Sequence, residues 1–136
     1  MRFMTTVFAR ENQGMPPAAL LEAIGKLGED ATKAGVFVQM GGLRPAAAGS
    51  RIRMSGGKLT TTDGPFAEVK EVIGGFAIFD TPTKAEAMAW AQRFMQLHLD
   101  HWQEWEGVCE VRGMMAEGEG PETARGCEEA VSAGVR

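Results

Sequence analysis

A chain of 136 residues is long enough for one domain with its own core, and a net charge of -4 excludes the clustered basic footprint that nucleic-acid binding needs. No run approaches the roughly 20 consecutive apolar residues that span a bilayer, and two cysteines are too few for a disulfide scaffold. A reduced, cytoplasmic setting is the expectation, since the opening residues lack the separate apolar core of a secretory signal.

Residues 2 to 9 read as a strand, with Phe3, Val7 and Ala9 on one face and Met4 and Phe8 on the other. Apolar groups on both faces predict a strand covered on both sides. Pro16 and Pro17 suit the first turn of a helix whose apolar stripe is Leu20, Ile24, Leu27, Ala31 and Ala34, with Gly35 as its stop. Val36 to Met40 is a second strand, ended by Gly41-Gly42. Arg51 to Met54 alternates charged and apolar residues, and Gly56-Gly57 joins it to Lys58 to Thr62 as a hairpin. Asp63-Gly64-Pro65 closes that segment. Val72 to Asp80 is the most apolar strand, and its Gly74-Gly75 pair marks a bulge or a close backbone approach.

Thr83 and Glu86 form a capping-box signature. The helix after them carries Trp90, Phe94 and Leu97 on one stripe, with Met88, Ala91 and Met95 beside it, and runs to about Leu99 or a little beyond. Val108 to Arg112 is a last strand. From Ala116 onward aromatic residues vanish, which predicts a flexible tail with one short helix near Cys127 to Val131. The order β-α-β-β-α-β predicts a ferredoxin-like α+β sandwich with helices on one face of an antiparallel sheet. A second copy of the chain would be the simplest cover for the other face.

Asp63-Gly64-Pro65-Phe66, then Glu68-Val69-Lys70-Glu71, then Gly74-Gly75-Phe76, resembles the signature of the YCII-related, or DGPF-domain, family. The Ala85-x-Ala87-x-Ala89-Trp90-Ala91 helix and the Cys109-Glu110-Val111-Arg112 strand are similar to its remaining landmarks, so the likeness covers roughly residues 1 to 115 and leaves 116 to 136 as the tail. The resemblance implies a dimeric α+β barrel, in which two ferredoxin-like sheets face each other, and a bacterial cytoplasmic setting. It does not name a reaction. Members of that family often lie near, or are fused to, sigma factors, but this acidic chain does not support a transcriptional role. A histidine near the chain start, proposed to pair with an aspartate in the YciI branch, has no counterpart here. The only histidines are His98 and His101, within an aromatic segment longer than the family pattern.

Asp63 is the candidate catalytic residue, although Asp-Gly-Pro is also turn chemistry in which the carboxylate bonds nearby backbone. A carboxylate serves as an acid near neutrality only in a buried or crowded place. Glu68 and Lys70 share strand parity and could pair on one face with Glu71 on the other; a solvated, charged strand entry is the plainer reading. Arg53 and Arg112, with Arg51, could clamp an anion in bidentate fashion or simply balance carboxylates.

His98 and His101 stand three apart on a helix, and Glu104 could join them as a metal ligand, but two histidines fall short of the three or four ligands of a zinc site. Packing beside Trp102 and Trp105 is the stronger expectation for them, with proton transfer and ligand contact as the functional alternative. Cys109 reads as inert on its strand, and the acidic tail disfavours a thiolate at Cys127. The glycine pairs lack the strand–loop–helix context of a nucleotide site, so no cofactor is predicted. The first reading is therefore a homodimer that binds a small organic molecule in its cleft, with proton-transfer or elimination chemistry through Asp63, no nucleic-acid partner and no membrane. A non-catalytic ligand sensor or interaction module is the alternative, and a metal-dependent site at His98 and His101 is a third.

Overall fold

The computed structural model describes residues 1–66 and 70–119. Its elements are β1 (Arg2–Ala9), α1 (Ala18–Lys33), β2 (Phe37–Gly42), a single 3-10 turn (Ala46–Ala48), β3 (Ser50–Ser55), β4 (Lys58–Asp63), β5 (Val72–Asp80), α2 (Lys84–His101) and β6 (Gly107–Gly113). Four strands form one antiparallel sheet in the order β2-β5-β1-β6, and β3 pairs with β4 in a separate two-stranded sheet. The result is an α+β arrangement with two helices, compatible with the ferredoxin-like sandwich, into which the β3–β4 hairpin is inserted between β2 and β5.

The two faces of the sheet differ as the alternation along β1 demands. Phe3 and Thr5 on β1, with Ala77 and Phe79 on β5, are buried beneath the helices. Trp90 of α2 lies parallel to Phe79 with centroids 6.1 Å apart, and Ala31 of α1 joins the same cluster with Val36, Phe37 and Met40 around it. The opposite face carries Met4, Thr6, Phe8, Phe76 and Ile78, all half-buried, and the helices leave it open. The expectation of cover on both sides is met on one side only within a single chain. Arg112 sits on this open face opposite Met4, and Glu110 sits opposite Thr6.

Several boundaries move for local reasons. Pro17 caps α1 from outside in extended geometry rather than starting its first turn, and Ala34, at the other end, is an exposed C-cap instead of part of the buried stripe. Gly35 at φ 75° then ends the helix, a conformation that costs an L side chain and suits glycine. Gly41 and Gly42 do not terminate β2 but pair with Phe76 and Gly75 of β5. Between Val7 and Phe8 the register with β5 shifts, which leaves Gly74 as the bulged residue. Gly75 also meets the expectation of close approach, because a side chain there would press on the Gly41 carbonyl at 3.0 Å.

On α2 the buried stripe is Ala87, Ala91 and His98, whereas Met88 faces solvent. Small residues at Ala87 and Ala91 let the helix sit close to the sheet. Gly56 and Gly57, at φ 58° and 72°, make the tight turn joining β3 and β4. At the end of the described chain Glu119 donates its N–H to the Ala116 carbonyl. The short helix expected near Cys127 lies outside the described residues.

Candidate functional site

Asp63 ends β4 directly opposite Ser50. The Ser50 hydroxyl donates to Asp63 Oδ1 at 2.7 Å, and the carboxylate is otherwise exposed at the molecular surface. Next along the chain, the Gly64 N–H donates to the Gly49 carbonyl at 2.9 Å, and the Gly64-Pro65 peptide is cis. A side chain at Gly64 would collide with the Ala46 carbonyl, so only glycine lets this corner press against the 3-10 turn. The turn is gripped from its other end by Glu11, whose two carboxylate oxygens accept the Ala46 N–H at 3.2 and 3.3 Å. Among the described residues the Asp63 carboxylate accepts from a hydroxyl rather than from the nearby backbone that turn chemistry predicts, in a setting more open than a general acid near neutrality requires.

Hairpin parity separates the remaining candidates. Asp63 shares a face with Ser50, Ile52 and Met54, while Arg51 and Arg53 pair with Thr62 and Thr60 on the other. The Arg51 guanidinium carbon lies 4.1 Å from the centre of the Phe66 ring, a cation–π contact at the start of the segment that follows the turn. Ile52, Met54 and Leu59 project from the Asp63 face of the hairpin with 69%, 78% and 72% of their surface exposed. Lys70 stands in a bend before β5 begins, so strand parity does not govern it, and Glu68 lies outside the described residues. Arg112 is on β6, on the open sheet face.

His98 and His101 lie in different surroundings. His98 is buried, with Nδ1 at 3.0 Å from the Phe94 carbonyl and its ring between Phe94 and Trp105, centroids 4.7 and 4.5 Å away. Burial lowers its pKa from 6.5, and the bond to the Phe94 carbonyl works in the opposite direction. His101 is exposed at the end of α2. Among the described residues, no three of His, Cys, Asp and Glu converge as a metal site would require. Packing explains His98, in agreement with the stronger of the two sequence expectations. Cys109 is half-buried on β6, and burial raises its thiol pKa, which disfavours reactivity.

Sequence reasoning missed Glu11, Gln13 and Ser50. Counting outward from Gly56-Gly57 would have placed Ser50 opposite Asp63, so that partner was within reach. Gln13 accepts the Glu106 N–H at 2.8 Å and donates Nε2 to the Glu106 carbonyl at 2.9 Å and to the Arg10 carbonyl at 2.7 Å. These bonds join the loop after β1 to the loop before β6, and no local pattern signals a contact between residues 93 apart. A shallow groove of about 410 Å³ lies along α1 and β2, bordered by Gly25, Gly28, Glu29, Thr32, Lys33 and Phe37. It includes none of the candidate residues.

The fold class and the turn on which Asp63 stands can now be set beside known proteins. The model of the YCII-related domain matches residues 1–111, most of the chain, and the protein belongs to the YCII-related family. No curated protein matches the chain. No described helix is long and apolar enough to cross a membrane.

Proposed function

We propose that two copies of this chain pack their open sheet faces together as a dimeric barrel, and that a small organic molecule binds in the resulting cleft with Asp63 as its polar anchor. The observation that carries this reading is the Ser50–Asp63 bond, which holds the carboxylate in one orientation while leaving it accessible. The half-buried Met4, Phe8, Phe76 and Ile78 support the dimer, because an apolar sheet face without helices over it is suited to cover by a second copy. Once a ligand or partner excludes water, the carboxylate would become a competent proton acceptor for proton-transfer or elimination chemistry. Arg112 on the open face would supply an anion-binding group to the same cleft.

A second reading, a non-catalytic sensor or interaction module, is favoured by a different observation: Gly64 is pressed on the Ala46 carbonyl and bonded to Gly49, so the Asp-Gly-Pro string serves the corner of the fold. A thermal-shift screen of small organic acids, amides and amines separates the two, since a ligand that binds the folded state raises its Tm. The first reading expects a stabilising compound whose effect is lost in Asp63→Asn while that variant keeps the wild-type Tm without ligand. A compound that stabilises Asp63→Asn equally well removes Asp63 from the site.

A further inference from the structure

The 3-10 turn at Ala46–Ala48 is a platform with two attachments. Pro45, which precedes it, has no N–H, and the Ala46 N–H has no carbonyl partner within so short a helical turn. Glu11 supplies the missing acceptor with both carboxylate oxygens, although it lies 35 residues away at the exit of β1. At the other end, the Gly49 N–H closes the turn on the Ala46 carbonyl at 2.9 Å. That carbonyl is the surface against which Gly64 is pressed, and Gly49 is the acceptor for the Gly64 N–H. Ser50, one residue further, holds the Asp63 carboxylate. Among the described residues, these contacts at the Asp63–Gly64 corner come from the turn or the two residues after it, and the turn is tied to the exit of β1 through Glu11.

We propose that Glu11 is a positioning residue for Asp63, acting through the 3-10 turn rather than on a ligand. The assignment deepens the reading of Asp63 as the functional carboxylate and rests on it. It ties the loop leaving β1 to a corner that otherwise belongs to the inserted hairpin. A carboxylate suits this contact because one N–H shared by two oxygens is a charge-assisted bond, while a single neutral acceptor oxygen retains much of it. The loop that carries Glu11 is itself fastened to the loop before β6, since Gln13, two residues on, is bonded to Glu106 through both its amide atoms.

Residue-resolved hydrogen exchange on the full chain tests the assignment through the amides of Ala46 and Gly64, with Thr5 and Ala77 in the sheet as references. Removing a charge-assisted bond in Glu11→Ala is expected to speed exchange at Ala46 and Gly64 by about tenfold while the reference amides stay at their wild-type rates. Glu11→Gln, which keeps one acceptor oxygen, is expected to restore most of the protection at both positions. Unchanged exchange at Gly64 in Glu11→Ala overturns the proposal, as does an equal acceleration of the references, which would signify general loosening. The ligand role of Asp63 stands or falls separately, on the response of Asp63→Asn in the thermal-shift screen.

Discussion

At the scale of single residues, His98 has the most consequential environment. Its imidazole lies between the tilted rings of Phe94 and Trp105, and its pKa is lowered because burial penalises the charged ring by more than the bond to the Phe94 carbonyl favours it. The unfolded chain, with an ordinary value of 6.5, therefore binds more protons than the folded one in the window just below that value. Stability then rises with pH through the window and is lost as pH falls below 6.5. His98→Gln retains a donor for the Phe94 carbonyl and does not titrate. Melting curves between about pH 7.5 and about pH 5.5 should show a steeper loss of Tm in the wild type than in this variant. Equal slopes would mean that His98 is not the group responsible. Trp105 in turn depends on Gly107, where any side chain would run into the indole ring.

At the scale of elements, helix α2 illustrates what local chemistry can and cannot specify. Thr83 accepts the Glu86 N–H at 3.3 Å, as the capping signature predicts. Thr83→Ala should cost about 1 kcal/mol, read as a lower urea midpoint with an unchanged slope. The start of this helix was legible because a cap is a property of four adjacent residues. Its buried face was less so: of the two expected stripes, Trp90, Phe94 and Leu97 and the adjoining Met88, Ala91 and Met95, only Ala91 is fully buried, beside Ala87 and His98. Hydrophobicity alone does not encode how near a helix approaches a sheet. The hairpin shows the same division. Its turn and register follow from Gly56-Gly57, including the partner of Asp63, whereas Glu11 reaches the neighbouring turn from a different strand altogether. Candidate site residues within one element could thus be placed from sequence, and those joined by tertiary contacts could not.

At the scale of the whole molecule, the open face of the four-stranded sheet sets the question of assembly. Ile78 and Phe76 on β5 and Met4 and Phe8 on β1 occupy its centre, and Glu110 and Arg112 lie on the β6 side. If two copies meet here, light scattering at micromolar concentration should give twice the chain mass. Ile78→Glu should then halve the mass, because a buried unpaired carboxylate opposes association, while circular dichroism stays that of the folded chain. A wild-type monomer would leave this face without the proposed cover. Opposite charges two residues apart on β6 would also favour an antiparallel meeting of the two faces, in which Glu110 of each copy approaches Arg112 of the other.

The contact between Gly41 and Phe76 has a consequence for inheritance. The Phe76 ring leans over the neighbouring strand, and a methyl group at position 41 would lie 3.1 Å from its edge. The two positions therefore behave as a single unit of volume shared between β2 and β5. Enlarging one demands a reduction or a rotation of the other, so their substitution costs will not add. In relatives of this chain, glycine at the first position should accompany a broad aromatic at the second, and a bulkier first residue should accompany a slimmer second one.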